Sequence, residues 1–87
     1  MKRVTVYWKD SATSSMWRDE VWYKKYSTPM TCETTGYLLV DKDDYVTIAL
    51  THAPGNRDIT GSMAIPRGCI TRIERLYPKK KTKGGKQ

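Results

Sequence analysis

TCETTGYLLVDKDDYVTIAL, residues 31–50, decides the fold of this chain. Polar and apolar residues alternate on both sides of the acidic sequence at 41–44, a pattern that predicts two antiparallel strands joined by a tight turn. Gly36 lies inside the first strand, and a glycine there is typical of a sharp bend or of close approach by a neighbouring backbone. The second strand is expected to place Val46 and Leu50 on the same face.

Alternation of the same kind recurs on either side of this hairpin. Strands are predicted at residues 3–9, 31–40, 45–50, 58–65 and 70–76, with a single turn at 67–69. In the first strand Val6 and Trp8 are expected on one face. A short helix near the N-terminus is predicted at 16–26, with Ser15 as its cap and Trp17 in the core. The aromatic residues of that segment also fit a non-helical excursion.

The predicted fold class is mainly β, with one small five-stranded barrel in residues 1–77. Five short strands separated by tight turns close into a barrel more readily than they stack as a sandwich, and closure removes exposed sheet edges. An oligonucleotide-binding barrel is less favoured because it usually needs more residues. Residues 78–87, PKKKTKGGKQ, have no apolar side chain to bury and are predicted to form a flexible, disordered basic tail, here called the lysine tail.

The positive charge is concentrated in this tail. Of the net charge of +7, five charges lie in residues 78–87, which leaves +2 for residues 1–77. Lysines that contact a phosphate backbone release counterions, with a slope of about −0.7 to −0.9 in log K against log salt per contact. The tail therefore predicts nucleic-acid binding, although keeping the protein soluble or binding an acidic protein would use the same charges. The predicted contacts are Lys79, Lys80, Lys81 and Lys83.

Aromatic residues are the second sign of nucleic-acid binding. The chain has three Trp, six Tyr and no Phe. Single-stranded nucleic acid stacks its bases on exposed rings beside cationic groups. Without Phe, however, Trp and Tyr also have to fill the core or a subunit interface. The candidate rings are Tyr7, Trp22, Tyr23, Tyr37 and Tyr45, and the candidate cations are Arg3, Lys24, Lys25, Arg67 and Arg72.

Residues with catalytic or metal-binding chemistry are sparse. His52 is the only imidazole, and Cys32 and Cys69 lack the CxxC spacing of zinc sites. Asp41, Asp43 and Asp44 resemble the start of a calcium loop, but Val46 and His52 stand where that loop requires glycine and glutamate. We therefore predict no catalytic residue, no metal site and no cofactor, and we expect both cysteines to be buried free thiols. A membrane span needs about 20 consecutive apolar residues, and no apolar run in this sequence approaches that length. Neither a membrane segment nor a signal peptide is therefore expected. The expected location is cytoplasmic.

Two stretches resemble the motifs of the Sm-like family. Gly36-Tyr37-Leu38 followed by residues 43–50, DDYVTIAL, resembles the first motif, in which G-x-L precedes D-x-x-hydrophobic-Asn-x-x-Leu. Residues 65–70, IPRGCI, are similar to the second motif, I-R-G-x-x-hydrophobic. The resemblance implies a bent barrel of the Sm-like or SH3-like type. Its fourth and fifth strands would pair between neighbouring subunits, so that a homo-oligomeric ring forms.

The same resemblance implies where nucleic acid would bind, with RNA preferred over DNA. Asp43 would orient the loop, and Thr47 would contact the base where the family has asparagine. Arg67 would complete the pocket together with Gly68. The stacking surface would come from Tyr45 or Val46.

A second resemblance spans nearly all of residues 1–77. The sequence VxWxDS at 6–11, CxTxGYL at 32–38 and IPR at 65–67 is similar to short uncharacterised proteins of tailed bacteriophages. This implies a location in the host cytoplasm and a host-directed or assembly role. Two hypotheses follow: a non-enzymatic, self-associating module that binds nucleic acid, or an adaptor that binds a host protein without binding nucleic acid. Neither involves a membrane.

Overall fold

The computed structural model describes residues 1–77. It contains five strands, one α-helix and one 3-10 helix. In chain order these are β1 (Arg3–Asp10), α1 (Glu20–Tyr26), β2 (Met30–Asp41), β3 (Tyr45–Ala53), β4 (Asp58–Pro66), the 3-10 helix (Arg67–Cys69) and β5 (Ile70–Leu76). The lysine tail lies outside the described residues, so the prediction made for it stays a prediction.

The five strands form one antiparallel sheet in the order β4-β3-β2-β1-β5. The mainly β class and the number of strands are thereby confirmed, and the predicted turn at 67–69 is the 3-10 helix. β4 and β5 are the two edge strands of this sheet. Closure into a barrel therefore stays a prediction.

One apolar cluster forms the core. Val4 and Val6 of β1 are almost completely buried, and Trp8 packs partly buried against the same cluster. The inward face predicted for β1 is therefore confirmed. The other core side chains are Val46, Ile48 and Ile65, and Leu38, Cys69, Ile70 and Ile73 pack against them. Both cysteines are free thiols, but they are half-buried rather than buried.

Leu50 departs from the predicted pattern, because it is 72% exposed whereas Ala49 is fully buried. Leu50 lines a shallow groove with Ile48 and therefore shares its face. Gly61 of β4 lies beside Leu50 but has no side chain to cover it. Leu50 thus lies on the expected face of β3, but beyond the last residue of the core cluster.

The segment between β1 and β2 also differs from the prediction. Helix α1 begins at Glu20, and its N-cap is Asp19, whose carboxylate accepts a hydrogen bond of 2.9 Å from the Trp22 backbone N–H. Ser15 is therefore not the cap. Trp17 precedes the helix and is 96% exposed, so its predicted place in the core is wrong. Among residues 1–77, no helix combines the length and the hydropathy that crossing a membrane requires.

Candidate nucleic-acid interface

The structure brings together most of the residues predicted from the Sm-like motifs. The Arg67 backbone N–H donates a 2.9 Å hydrogen bond to the Asp44 carbonyl, which joins the end of β4 to the turn before β3. Tyr45 pairs with Pro66 in the β3–β4 register, next to Arg67 and Gly68. Four of the five predicted residues, Asp43, Tyr45, Arg67 and Gly68, therefore lie at one end of the sheet. We call this region the β2–β3 turn site. Val46, the alternative to Tyr45 as a stacking surface, is fully buried, so that alternative is wrong.

Thr47, the fifth predicted residue, lies further along β3. It pairs with Val40 of β2 and Ala64 of β4 and is half-buried. Its position within a three-stranded part of the sheet fixes the backbone firmly.

Arg67 has a structural role in the turn site. Its guanidinium donates hydrogen bonds of 3.2 and 2.6 Å to the Lys42 carbonyl and forms an ion pair of 2.5 Å with Asp41. The pair is partly exposed, because the Arg67 side chain retains 37% of its accessible surface. Arg67 therefore holds the β2–β3 turn against the start of the 3-10 helix.

Replacing Arg67 by alanine is expected to lower the free energy of unfolding by about 1 kcal/mol, because a partly exposed ion pair and its hydrogen bonds are lost. Arg67→Lys keeps the charge beside Asp41 but loses the two hydrogen bonds to the Lys42 carbonyl. Its free energy of unfolding should lie between those of the original protein and Arg67→Ala. Denaturant unfolding of the three proteins measures the effect. Equal midpoints for Arg67→Ala and the original protein would show that the contact does not stabilise the turn.

The turn site carries a net negative charge. Three carboxylates at positions 41, 43 and 44 face two cations, Lys42 and Arg67, which leaves a net charge of −1. The Lys42 ammonium lies 5.8 Å from the centre of the Tyr45 ring. The site therefore offers an aromatic ring beside a cation, but a phosphate backbone would gain little long-range attraction from it.

A cationic region on the described surface was not predicted from the sequence. Met1, Lys2, Arg3, Arg75, Leu76 and Tyr77 line an open cleft of about 370 Å³, which we call the β1–β5 cleft. The antiparallel register that pairs Arg3 with Leu76 places both ends of the described chain side by side. The sequence does contain the basic residues, since Arg3 lies at the start of β1 and Arg75 near the end of β5. Only the pairing of β1 with β5 brings them together.

Partly or fully exposed aromatic rings beside cations recur over the described surface. Arg72 lies 4.1 Å from the centre of the Tyr7 ring, as expected for a predicted ring and a predicted flanking cation. Tyr37 instead lies edge-on to His52, with 5.6 Å between ring centres. The other cation–ring pairs are Arg18 with Trp22, Lys25 with Tyr26 and Arg75 with Tyr77.

The segment at 11–29 forms an aromatic arm. The rings of Tyr23 and Tyr26 each lie 5.1 Å from that of Trp22, and the Tyr23 hydroxyl donates to the Met16 carbonyl. These contacts organise the arm from within, and no residue of α1 is buried. Trp17 remains on its outer surface.

Within residues 1–77, no group of three or more His, Cys, Asp or Glu side chains is placed to hold a metal ion. Comparison of the chain with protein-family models, curated proteins and solved structures finds no match. The function therefore has to be inferred from the geometry and the residues themselves.

Proposed function

We propose that this protein is a non-enzymatic module that binds nucleic acid, with RNA preferred over DNA, and that it self-associates. The observation that supports this most is the repeated pairing of partly or fully exposed aromatic rings with Lys or Arg side chains. Bases stack on such rings while the adjacent cations attract phosphates. Unpaired bases of single-stranded RNA are available for this stacking, whereas those of a duplex are not.

In this proposal the turn site and the lysine tail contribute differently. Tyr45 offers a stacking surface, Gly68 leaves open space where a side chain would lie, and Thr47 would contact the base. By the resemblance Asp43 would orient the turn, and Arg67 holds it through Asp41 and Lys42, so Arg67→Ala is expected to weaken RNA binding even with the tail intact. The tail lysines, Lys79, Lys80, Lys81 and Lys83, supply attraction that depends on salt but not on sequence.

Self-association is proposed through the sheet edges. β4 and β5 each have one side without a neighbour in the sheet, and unpaired edges are templates for pairing with another chain. Pairing of β4 with β5 of the next copy is a head-to-tail contact, which generates a ring when the rotation closes. An Sm-like barrel would use its edges in this way. Sedimentation of the full chain over a range of concentrations tests this part: a discrete oligomer is expected, and a monomer throughout would refute it.

The binding part is tested by fluorescence anisotropy with the full chain, using labelled single-stranded RNA and duplex DNA of equal length. We expect tighter binding of the RNA. Absence of binding to either at low salt would refute the proposed function.

A second candidate function is supported by the aromatic arm. Trp17 is 96% and Val21 74% exposed, and Tyr26 is 54% exposed. Trp and Tyr are enriched among the residues that dominate protein interfaces. The arm would then anchor a protein partner, which for a phage-encoded chain would be a host protein in the host cytoplasm.

Trp17→Ala separates this role from a structural one. Since Trp17 is almost fully exposed, the substitution should change the free energy of unfolding by no more than about 0.5 kcal/mol. Trp8→Ala is the matched control, because Trp8 packs against the core and donates a 3.0 Å hydrogen bond to Thr34; it should cost about 2 kcal/mol. The adaptor role predicts a complex that survives high salt and that Trp17→Ala abolishes. A complex unaffected by Trp17→Ala would remove the arm from consideration.

A further inference from the structure

We propose that the β1–β5 cleft binds the phosphate backbone of single-stranded nucleic acid and is the main contact made by residues 1–77, ahead of the β2–β3 turn site. This inference rests on the proposed function and names the place where it is carried out. It follows from the position, charge and aromatic character of the cleft.

The backbone on both sides of the cleft is fixed by strand pairing. Val4 pairs with Arg75 and Arg3 with Leu76 between β1 and β5. On the other side, the Lys2 carbonyl accepts a 2.8 Å hydrogen bond from the Leu38 backbone N–H of β2. The three cations therefore project from a backbone held in place by neighbouring strands, which limits the ordering that binding requires.

The charge of the cleft distinguishes it from the turn site. Its lining carries Lys2, Arg3 and Arg75 and no carboxylate, whereas the turn site has a net charge of −1. Glu74, the nearest acidic residue in the sequence of β5, is 3.7 Å from Arg72 and accepts from the Tyr7 hydroxyl at 3.4 Å. The Glu74 carboxylate thus interacts with Arg72 and Tyr7 and does not line the cleft. A polyanion approaching the described part of the protein is attracted to the cleft and not to the turn.

Tyr77 gives the cleft its preference for single strands. Its side chain is 72% exposed, and the Arg75 guanidinium lies 5.1 Å from the centre of its ring. An unpaired base can stack on this ring while its phosphates contact the adjacent cations. A base in a duplex is already stacked and paired, so the ring adds nothing to duplex binding.

The lysine tail continues from this cleft along the chain. Lys79 follows Tyr77 by two residues in the sequence, so the charges of the tail come directly after the residues that line the cleft.

The test uses the full chain with Arg3→Gln and Arg75→Gln combined, titrated with labelled single-stranded RNA over a salt series. Loss of two phosphate contacts should reduce the salt slope by about 1.4 and weaken binding at low salt by about tenfold or more. The matched control, Lys9→Gln with Arg57→Gln, removes the same charge from exposed positions outside the cleft and should change affinity no more than about twofold. Arg3→Lys with Arg75→Lys keeps the charge and should retain the salt slope, which distinguishes lost contacts from a folding defect.

The outcomes separate the two proposals. If the original protein binds RNA and the cleft variant binds like its control, the inference is overturned and the proposed function stands. If the original protein binds neither RNA nor DNA, the proposed function fails and the inference with it. If the cleft variant lost more affinity for duplex DNA than for RNA, the inference would also be overturned, because Tyr77 is proposed to make the cleft prefer single strands.

Discussion

Replacing Gly36 by alanine is expected to lower the free energy of unfolding by about 3 kcal/mol, the largest stability effect of any small substitution that we predict. A Cβ atom at position 36 would lie 2.5 Å from the Ala49 carbonyl oxygen and 2.6 Å from Cγ2 of Ile48. The carbonyl belongs to the backbone of β3, and Ile48 is a core residue. Neither can move away without disturbing the β2–β3 pairing or the core, and small domains are stabilised by only about 5–10 kcal/mol in total.

Denaturant unfolding measures this effect, with Gly55→Ala as the matched control. A Cβ atom at position 55 would meet no atom within 4 Å, so the control should unfold within about 0.5 kcal/mol of the original protein. Similar unfolding midpoints for the two variants would contradict the close approach of β3 to Gly36.

Neutralising the lysine tail is expected to have the largest effect on binding. Each phosphate contact contributes a slope of about −0.7 for single strands, so replacing all five tail lysines by glutamine, which removes the four proposed contacts, should flatten the plot of log K against log salt by about 2.8. The ratio of affinities at about 50 mM and about 200 mM salt would then shrink by about 50-fold. The lysines to be replaced are Lys79, Lys80, Lys81, Lys83 and Lys86.

Arginine at the same five positions is the control, because it keeps every charge and should preserve most of the slope. The titration is anisotropy of labelled single-stranded RNA over the salt series. An unchanged slope in the glutamine variant would mean that the tail only keeps the protein soluble and that phosphate contacts lie elsewhere.

Much of the fold is predictable because the sequence alternates where strands are half-buried. Val6 and Val46 face the core as their alternation predicts, and Gly36 marks a close backbone approach as predicted. Trp17 and Leu50 are both exposed, because an apolar side chain is buried only if a neighbouring element covers it. A place in the core was predicted for Trp17, and that prediction was wrong. The pattern of a single segment does not say whether such a neighbour exists.

The candidate site was predicted only as a group of residues. Tyr45, Arg67 and Gly68, which the motif resemblance groups, lie near one turn, but their role in binding stays a prediction. The resemblance does not predict that Asp41 holds Arg67, because that contact depends on how two distant segments pack. The β1–β5 cleft was missed for the same reason, because Arg3 and Leu76 are far apart in the sequence and are brought together only by the pairing of β1 with β5.

The central claim is that residues 1–77 themselves bind RNA. The most direct test is to titrate the full chain carrying the five lysine-to-glutamine substitutions with single-stranded RNA and with duplex DNA of equal length at low salt. We expect weaker but measurable binding that still favours RNA, because the exposed rings and the cleft cations remain. Complete loss of binding, or equal affinity for both nucleic acids, would contradict the claim and would favour a protein partner for this domain.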